Sequence, residues 1–341
     1  MAKFVVTGGA GFIGCNTVER LLRDGHDVIV IDNLSRKGTQ SNLEYLQGIG
    51  SFVFEKADLR EADAIARIFR EHPGIGTVIH LAGQVAVTTS VKDPREDFEI
   101  NALGTFNVLE GVRLSGQKPL VIYSSTNKVY GGMEHIIIDE LEDRYVYRDY
   151  PLGIPETELL DFHSPYGCSK GAADQYIRDY HRIYGIPTTV FRQSCIYGYR
   201  QFGVEDQGWV AWFVIAAVLG KDISIYGDGK QVRDVLFIDD LVNAYLMAAE
   251  HPGKVAGKIF NVGGGPEFTM SVWREFGPMI EQAIGRKIPV TYGDWRPGDQ
   301  PCYVSDIRKV KEELGWEPKV SVQEGVQRLV KWVSDNRVLF E

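Results

Sequence analysis

The sequence predicts an α/β protein: a doubly wound parallel sheet with helices on both faces, joined to a smaller α/β lobe. Two observations predict it. Short β-branched apolar runs alternate with helical patterns through the first part of the chain, and strands that read as unbroken apolar runs belong to sheets covered on both faces. After Arg192 that alternation gives way to an irregular mixture of aromatic segments, short strands and helices.

Each element follows from its own stretch. The strand candidates are Phe4–Thr7, Val28–Ile31, Phe52–Phe54, Val78–Leu81, Leu120–Tyr123 and Thr188–Phe191, all rich in residues that suit a pleated, buried surface. Beyond Arg192 come the aromatic segment Trp209–Phe213, a strand candidate at Ile223–Tyr226, and helix candidates near Leu241–Glu250 and Trp273–Ile284. The stretch Val235–Glu250 and the apolar run Ile259–Val262 fit a return to the first sheet. The expected division is therefore discontinuous, with 1–192 plus about 233–263 in one domain and about 193–232 plus 264–341 in the other. Residues 132–163 form an acidic, tyrosine-rich connection too long for an ordinary loop, and a decorated surface loop and a lid over a ligand both fit it.

Composition sets outer limits. The chain has 341 residues, 44% hydrophobic and 24% charged, which suits one or two packed cores rather than disorder. No apolar run approaches the roughly 20 residues of a membrane span, and Met1–Thr7 lacks a basic secretory start, so a cytoplasmic protein with no membrane partner is expected. A net charge of −9 disfavours nucleic acid, whose phosphate backbone calls for a basic face. Cys15, Cys168, Cys195 and Cys302 are scattered without metal-ligand spacing. Neither a metal centre nor a disulfide framework is expected, and the thiols should be free and at least partly buried.

The strand Phe4–Thr7 runs straight into Gly8-Gly9-Ala10-Gly11-Phe12-Ile13-Gly14 and then an amphipathic helix through Leu21 and Leu22. This is a dinucleotide-binding turn: Gly8 allows the tight turn, Gly11 the approach of a pyrophosphate, and Gly14 close helix–strand packing, with free helix N–H groups facing the phosphates. Asp32 ends the second strand, where a carboxylate accepts from both ribose hydroxyls and repels a 2′-phosphate. NAD is thus favoured over NADP, although Ser35, Arg36 and Lys37 close by offer groups for a 2′-phosphate. Tyr166 and Lys170 stand at i and i+4 on one helix face. A tyrosine acting as base near neutrality needs ~4 kcal/mol of differential stabilisation, which Lys170 and an oxidised nicotinamide can supply. Thr126, in Tyr123-Ser124-Ser125-Thr126-Asn127-Lys128, leaves the fifth strand at the same edge of the sheet.

The glycine turn, the hydroxyl after the fifth strand and the Tyr166/Lys170 pair together resemble the extended short-chain dehydrogenase/reductases. That resemblance implies a Rossmann-type cofactor domain with a smaller substrate-binding lobe. It makes Tyr166 the base, Lys170 its tuner and ribose ligand, and Thr126 the donor to the reacting sugar oxygen. It also puts Phe12, Ile13, Asn33, Ser35, Arg36, Asp58, Leu59, Leu81, Ala82 and Gln84 along the NAD, and Asn127, Arg200, Gln201, Arg233 and Arg296 around a nucleotide-diphosphate sugar. Arg233 lies in Gly227–Asp234 and Arg296 in the Arg-Pro-Gly-Asp segment 296–299; guanidinium forks suit phosphate oxygens. Family dehydratases read Asp-Glu where this chain reads Asn127-Lys128, which removes the acid and base of an elimination.

The strings at 32–38, 80–91, 123–131, 160–176, 206–213 and 229–237 resemble the branch of 2-epimerases acting on CDP-linked dideoxy sugars. The implied reaction is CDP-paratose to CDP-tyvelose through a 2-keto intermediate, in a homodimer or homotetramer. Two other readings stay open: a UDP- or GDP-sugar 4-epimerase or 4-reductase, and a noncatalytic NAD-binding protein, against which the intact Thr126, Tyr166 and Lys170 speak.

Overall fold

The computed structural model describes residues 1–205, 207–296 and 299–341. In chain order the strands are β1 (Lys3–Thr7), β2 (Asp27–Asp32), β3 (Val53–Lys56), β4 (Thr77–His80), β5 (Leu120–Thr126), β6 (Ile138–Glu140), β7 (Tyr145–Tyr147) and β8 (Thr188–Gln193). They continue as β9 (Cys195–Tyr197), β10 (Ile223–Tyr226), β11 (Val232–Phe237), β12 (Lys258–Val262), β13 (Thr269–Ser271), β14 (Val290–Gly293) and β15 (Cys302–Tyr303). One sheet runs β12-β8-β5-β4-β1-β2-β3 with every neighbouring pair parallel. Every expected run, Ile259–Val262 included, falls on one of these strands with its edges moved by at most three residues.

Alternation along each strand explains why both faces are covered. On β1, Val6 packs into the core on one face and Val5 into the core on the other; Ile122 and Val121 of β5 divide the same way. Each fully buried side chain of this size contributes about 1.5–3 kcal/mol relative to exposure. Strand order reverses between β1 and β4, so the carboxyl ends of β1, β2, β4 and β5 open onto one crevice, the place where such sheets bind ligands.

The remaining strands form a second region around β11, which pairs with β13 antiparallel and with β9 and β15 parallel, while β10 pairs with β14. β11 therefore belongs here and not to the large sheet. The chain returns to that sheet at the helix Ile238–Glu250, three residues later than the expected return at Val235, because the backbone groups of Val235–Phe237 are taken by β9. A second departure is the helix expected from Trp273, which starts at Phe276. Glu275 and Ser271 exchange side-chain-to-backbone bonds at 2.6 and 2.9 Å, holding the preceding turn open, and Trp273 is buried edge-on against Phe213 instead.

Residues 132–163 are neither a bare loop nor an open flap. β6 and β7 form an antiparallel hairpin, the Tyr145 N–H donates to the Lys230 carbonyl (3.2 Å), and the Tyr147 hydroxyl donates to the Cys302 carbonyl (2.8 Å). Met133, Ile136, Tyr147 and Ile154 share a core with Val232 and Tyr303. Among the described residues no helix is long and apolar enough to cross a membrane. Cys15 and Cys302 are buried and Cys195 partly so, but Cys168 is exposed, because two residues past buried Tyr166 the helix presents its opposite face.

Candidate active site

The turn after β1 is built for close approach. Gly8 has φ +67°, and a Cβ on Gly14 would stand 2.1 Å from the Gly8 carbonyl oxygen, so only glycine lets the helix Phe12–Arg23 start so near the strand. Asp32 at the end of β2 accepts from the Ala10 N–H (3.0 Å) and the Leu34 N–H (2.8 Å). Leu34 takes φ +59° to aim that N–H, a strained conformation for a branched residue. Burial raises the Asp32 carboxyl, and these backbone donors act against it. Asn33 donates to Asp58 (2.9 Å), while Arg60 holds that carboxyl well below the usual range. The Leu81 and Ala82 N–H groups are fixed by the Thr7 hydroxyl at 3.2 Å, and Gln84 N–H by Asn101 at 2.9 Å. Gly8, Gly11, Phe12, Ile13, Gly14, Asp32, Asn33, Asp58, Leu59, Leu81, Ala82 and Gln84 thus gather along one edge of the sheet. Such a cradle, with its carboxylate at the second strand end, fits a dinucleotide with a free ribose. The Ser35 N–H donates to Asn33 (3.1 Å), and the Arg36 guanidinium bonds Gln207 and faces Tyr166 and Asp32.

Tyr166 and Lys170 enter on the helix Ser164–Tyr184, and both are buried. The Tyr166 phenol meets the Thr126 hydroxyl, which also accepts the Lys128 N–H (3.2 Å). Burial pushes Tyr166 up to about 12, with Thr126 and Arg36 acting against it. The expectation that Lys170 lowers the phenol is not met in the polypeptide by itself. The Lys170 ammonium donates to the Ser124 carbonyl (2.6 Å), lies 4.3 Å from the centre of the Tyr123 ring, and is held by burial down to about 7, countered by Asp174 and Asp97.

Behind this pair stands a network that spacing did not indicate. Ser169 bonds Asp97, which also accepts from Gln84 (2.8 Å) and Asn101 (3.2 Å). Asp174 accepts from the Nε and Nη2 edge of the Arg192 guanidinium (2.9 and 3.1 Å) and from Ser125 (2.9 Å), all buried. Asp174 was discoverable, since it is four residues past Lys170 on the same helix face. Asp97 carries no such signal, lying 72 residues from Ser169.

On the other side of the crevice, Arg233 of β11 is buried, donating to Asp299 (2.6 Å) and to the Val232 carbonyl (2.8 Å). Asn127 is buried beside Thr126, and the Gln201 side-chain oxygen is buried with no hydrogen-bond donor among the described residues. Arg296 lies 4.1 Å over the Tyr226 ring and donates to the Glu205 carbonyl (3.4 Å). Pro297 and Gly298 of the same segment, and Asp206 of the string 206–213, lie outside the described residues. Arg200 is not gathered with Arg233: its guanidinium sits 3.5 Å from the Tyr45 ring centre and 5.8 Å from that of Trp332, where aromatic faces hold the charge.

A family model described as GDP-mannose 4,6 dehydratase matches residues 5–329. The CDP-paratose 2-epimerase of Salmonella typhi is 45% identical over 337 residues, 97% of this chain and 99% of that protein. A UDP-glucose 4-epimerase of Thermotoga maritima, solved with UDP-glucose, superposes with TM-score 0.85 at 34% identity, covering 98% of this chain and 99% of that one. DesIV of Streptomyces venezuelae, a dTDP-glucose 4,6-dehydratase solved with NAD and TYD bound, gives TM-score 0.85 at 29% identity, with 99% of each chain covered.

Proposed function

Since the chain belongs to the GDP-mannose 4,6-dehydratase family within the NAD-dependent extended short-chain dehydrogenase/reductases, we propose that it epimerises a nucleotide-diphosphate sugar, inverting C2 of a CDP-linked dideoxy sugar. CDP-paratose to CDP-tyvelose is the reaction assigned. The observation that carries the reading is the end of β5: Thr126 meets Tyr166, and the next two residues are Asn127 and Lys128, so elimination finds no carboxylates there while redox epimerisation keeps all it needs. The 45% identity to the CDP-paratose 2-epimerase supports the choice of sugar and base. A 4-epimerase of UDP-sugars is the second reading, supported by the Thermotoga maritima likeness.

C1 of the sugar is an acetal carbon, so no adjacent carbonyl acidifies the C2 hydrogen and direct deprotonation faces a very high barrier. Hydride acceptance and its return to the opposite face of a 2-keto sugar are the chemistry NAD supplies when bound. Gly8–Gly14 and Asp32 would hold its pyrophosphate and ribose, and Lys170 the second ribose. Tyr166 takes the proton of the C2 hydroxyl and gives it back, and Thr126 donates to the same oxygen. A phenol raised by burial to about 12 keeps its proton near neutrality, so it can act as a base only once a nearby positive charge, such as a bound oxidised nicotinamide would supply, lowers it. Arg233 and Arg296 hold the diphosphate.

The reading includes a cytoplasmic homodimer or homotetramer. Leu114 and Ile183, each 65% exposed, and Tyr176 stand on two adjoining helices, an apolar surface that a second copy would cover, and sedimentation tests this. Incubation of the protein with CDP-, UDP-, GDP- and dTDP-sugars, followed by NMR of the product stereocentre, tests the function. Inversion at C2 of the CDP-sugar is expected, and inversion confined to C4 would transfer the assignment to the second reading.

A further inference from the structure

Lys128 takes no part in the redox chemistry, yet it is the most unusual charge at the site. Its side chain leaves the short turn Asn127–Tyr130 after β5 and crosses to the second region, where the ammonium donates to the Gln300 side-chain oxygen (3.3 Å). Gln300 is itself buried, its amide bonded to the Gly131 carbonyl. The charged and titratable groups facing the ammonium are Arg233 of β11, Asp299 and the Cys195 thiol of β9. Asp299 is already engaged by the Arg233 guanidinium at 2.6 Å. Two cations therefore share one carboxylate, and the lysine's direct contact is a neutral amide.

A buried cation is stable only when compensated. Burial and Arg233 together hold the Lys128 ammonium down to about 8. A carboxylate at this position would pair with Arg233, whereas a lysine leaves the pair one negative charge short. Lys128 stands two residues from Thr126, which addresses the sugar, and beside Arg233, which addresses the diphosphate. The group within reach of both is the phosphate next to the sugar.

We propose that Lys128 is a substrate-binding residue that, with Arg233, grips the sugar-side phosphate of the nucleoside diphosphate. The proposal rests on the nucleotide-sugar reading above. The guanidinium supplies a directed fork and the ammonium three rotatable donors, so the two cover one phosphate from different sides.

Calorimetric titration of the NAD-loaded protein with CDP and with CMP, which lacks the sugar-side phosphate, tests it. Lys128→Met should weaken CDP by about tenfold to a hundredfold, the worth of a charge-assisted bond, and leave CMP within about threefold. Lys128→Arg should keep most of the CDP affinity. In the wild type at pH 8, the bound phosphate restores the lysine's proton, so CDP binding should take up a fraction of a proton, read from the dependence of the binding heat on buffer ionisation. That uptake should vanish in Lys128→Met. Unchanged CDP affinity in Lys128→Met, or equal loss of CMP, overturns the assignment while the nucleotide-sugar reading stands. Should Lys128→Met fail to fold, Lys128→Gln, which also removes the charge, takes its place, and unchanged CDP affinity in that variant overturns the proposal. A wild type that binds none of CDP, UDP, GDP and dTDP removes both the proposal and the reading beneath it.

Discussion

The two walls of the crevice are built by different means. On the wall proposed for the cofactor each candidate group follows a strand end by a few residues: Gly8–Gly14 after β1, Asp32 closing β2, Asp58 after β3, Leu81 and Ala82 after β4. On the wall proposed for the substrate the contacts join distant parts of the chain, Lys128 to Gln300 across 172 residues and Arg233 to Asp299 across 66. Recognition through backbone shape is local and tolerates little change, whereas recognition through gathered side chains depends on the fold holding far segments together. The first wall suits one invariant ligand; the second can be retuned residue by residue.

Substitutions on each wall sharpen that contrast. The largest effect belongs where the walls meet: Tyr166→Phe should lower turnover by about a hundredfold or more while NAD content and folding stay near wild type. A residual rate above about a tenth would remove Tyr166 from the role of base. Next comes Arg233→Ala, which strips the half-buried carboxylate Asp299 of its guanidinium and should weaken CDP by tens-fold, about 2 kcal/mol or more, with NAD retention unaffected. Arg200→Ala serves as its contrast, with CDP affinity unchanged and at most about 1 kcal/mol of stability lost with the Tyr45 and Trp332 contacts. Equal losses of CDP affinity in both variants would put Arg200 back on the substrate wall.

On the cofactor wall, Asp32→Ala should yield protein depleted of NAD and less able to reject NADP, by about tenfold in a competitive titration. Unchanged content and preference would leave Asp32 as a clamp for the Ala10 and Leu34 N–H groups alone. The smallest effect concerns pH. Lys170 is held at about 7 in the native state against an ordinary value of 10.5. Between those values the unfolded chain binds the proton and the native chain does not. Stability of cofactor-stripped protein should therefore rise with pH across that window and be level below it, where both states are protonated. The difference in unfolding midpoint between wild type and Lys170→Met isolates this slope, and a difference that stays constant from pH 7 to about pH 10 would contradict the burial of the ammonium.

The same contrast explains what the sequence disclosed. The glycine turn and Asp32 are legible because their geometry is dictated within one strand–turn–helix unit, and Tyr166 with Lys170 because one helix carries both. Most of the seven parallel strands were visible since they bury both faces and so read as apolar runs, whereas β3, half-exposed at the sheet edge, showed only as the short run Phe52–Phe54. Arg200 looked like a phosphate ligand in a string, but its left-handed backbone (φ +61°) turns the side chain toward Tyr45 and Trp332. Asp97 and Arg192 were invisible because burial, which makes them matter, is a property of the packed molecule. The hairpin within 132–163 went unread because its strands are three residues each, too short for alternation to show.

The central claim is that the hydrogen at the inverted carbon is carried as hydride and never meets solvent. With CDP-paratose deuterated at C2, mass spectrometry and NMR should find the product's C2 still deuterated, and unlabelled substrate turned over in heavy water should gain no deuterium there. Solvent deuterium appearing at C2 would contradict the redox mechanism outright, and with it the roles of NAD and of Tyr166 as a base for the hydroxyl proton alone.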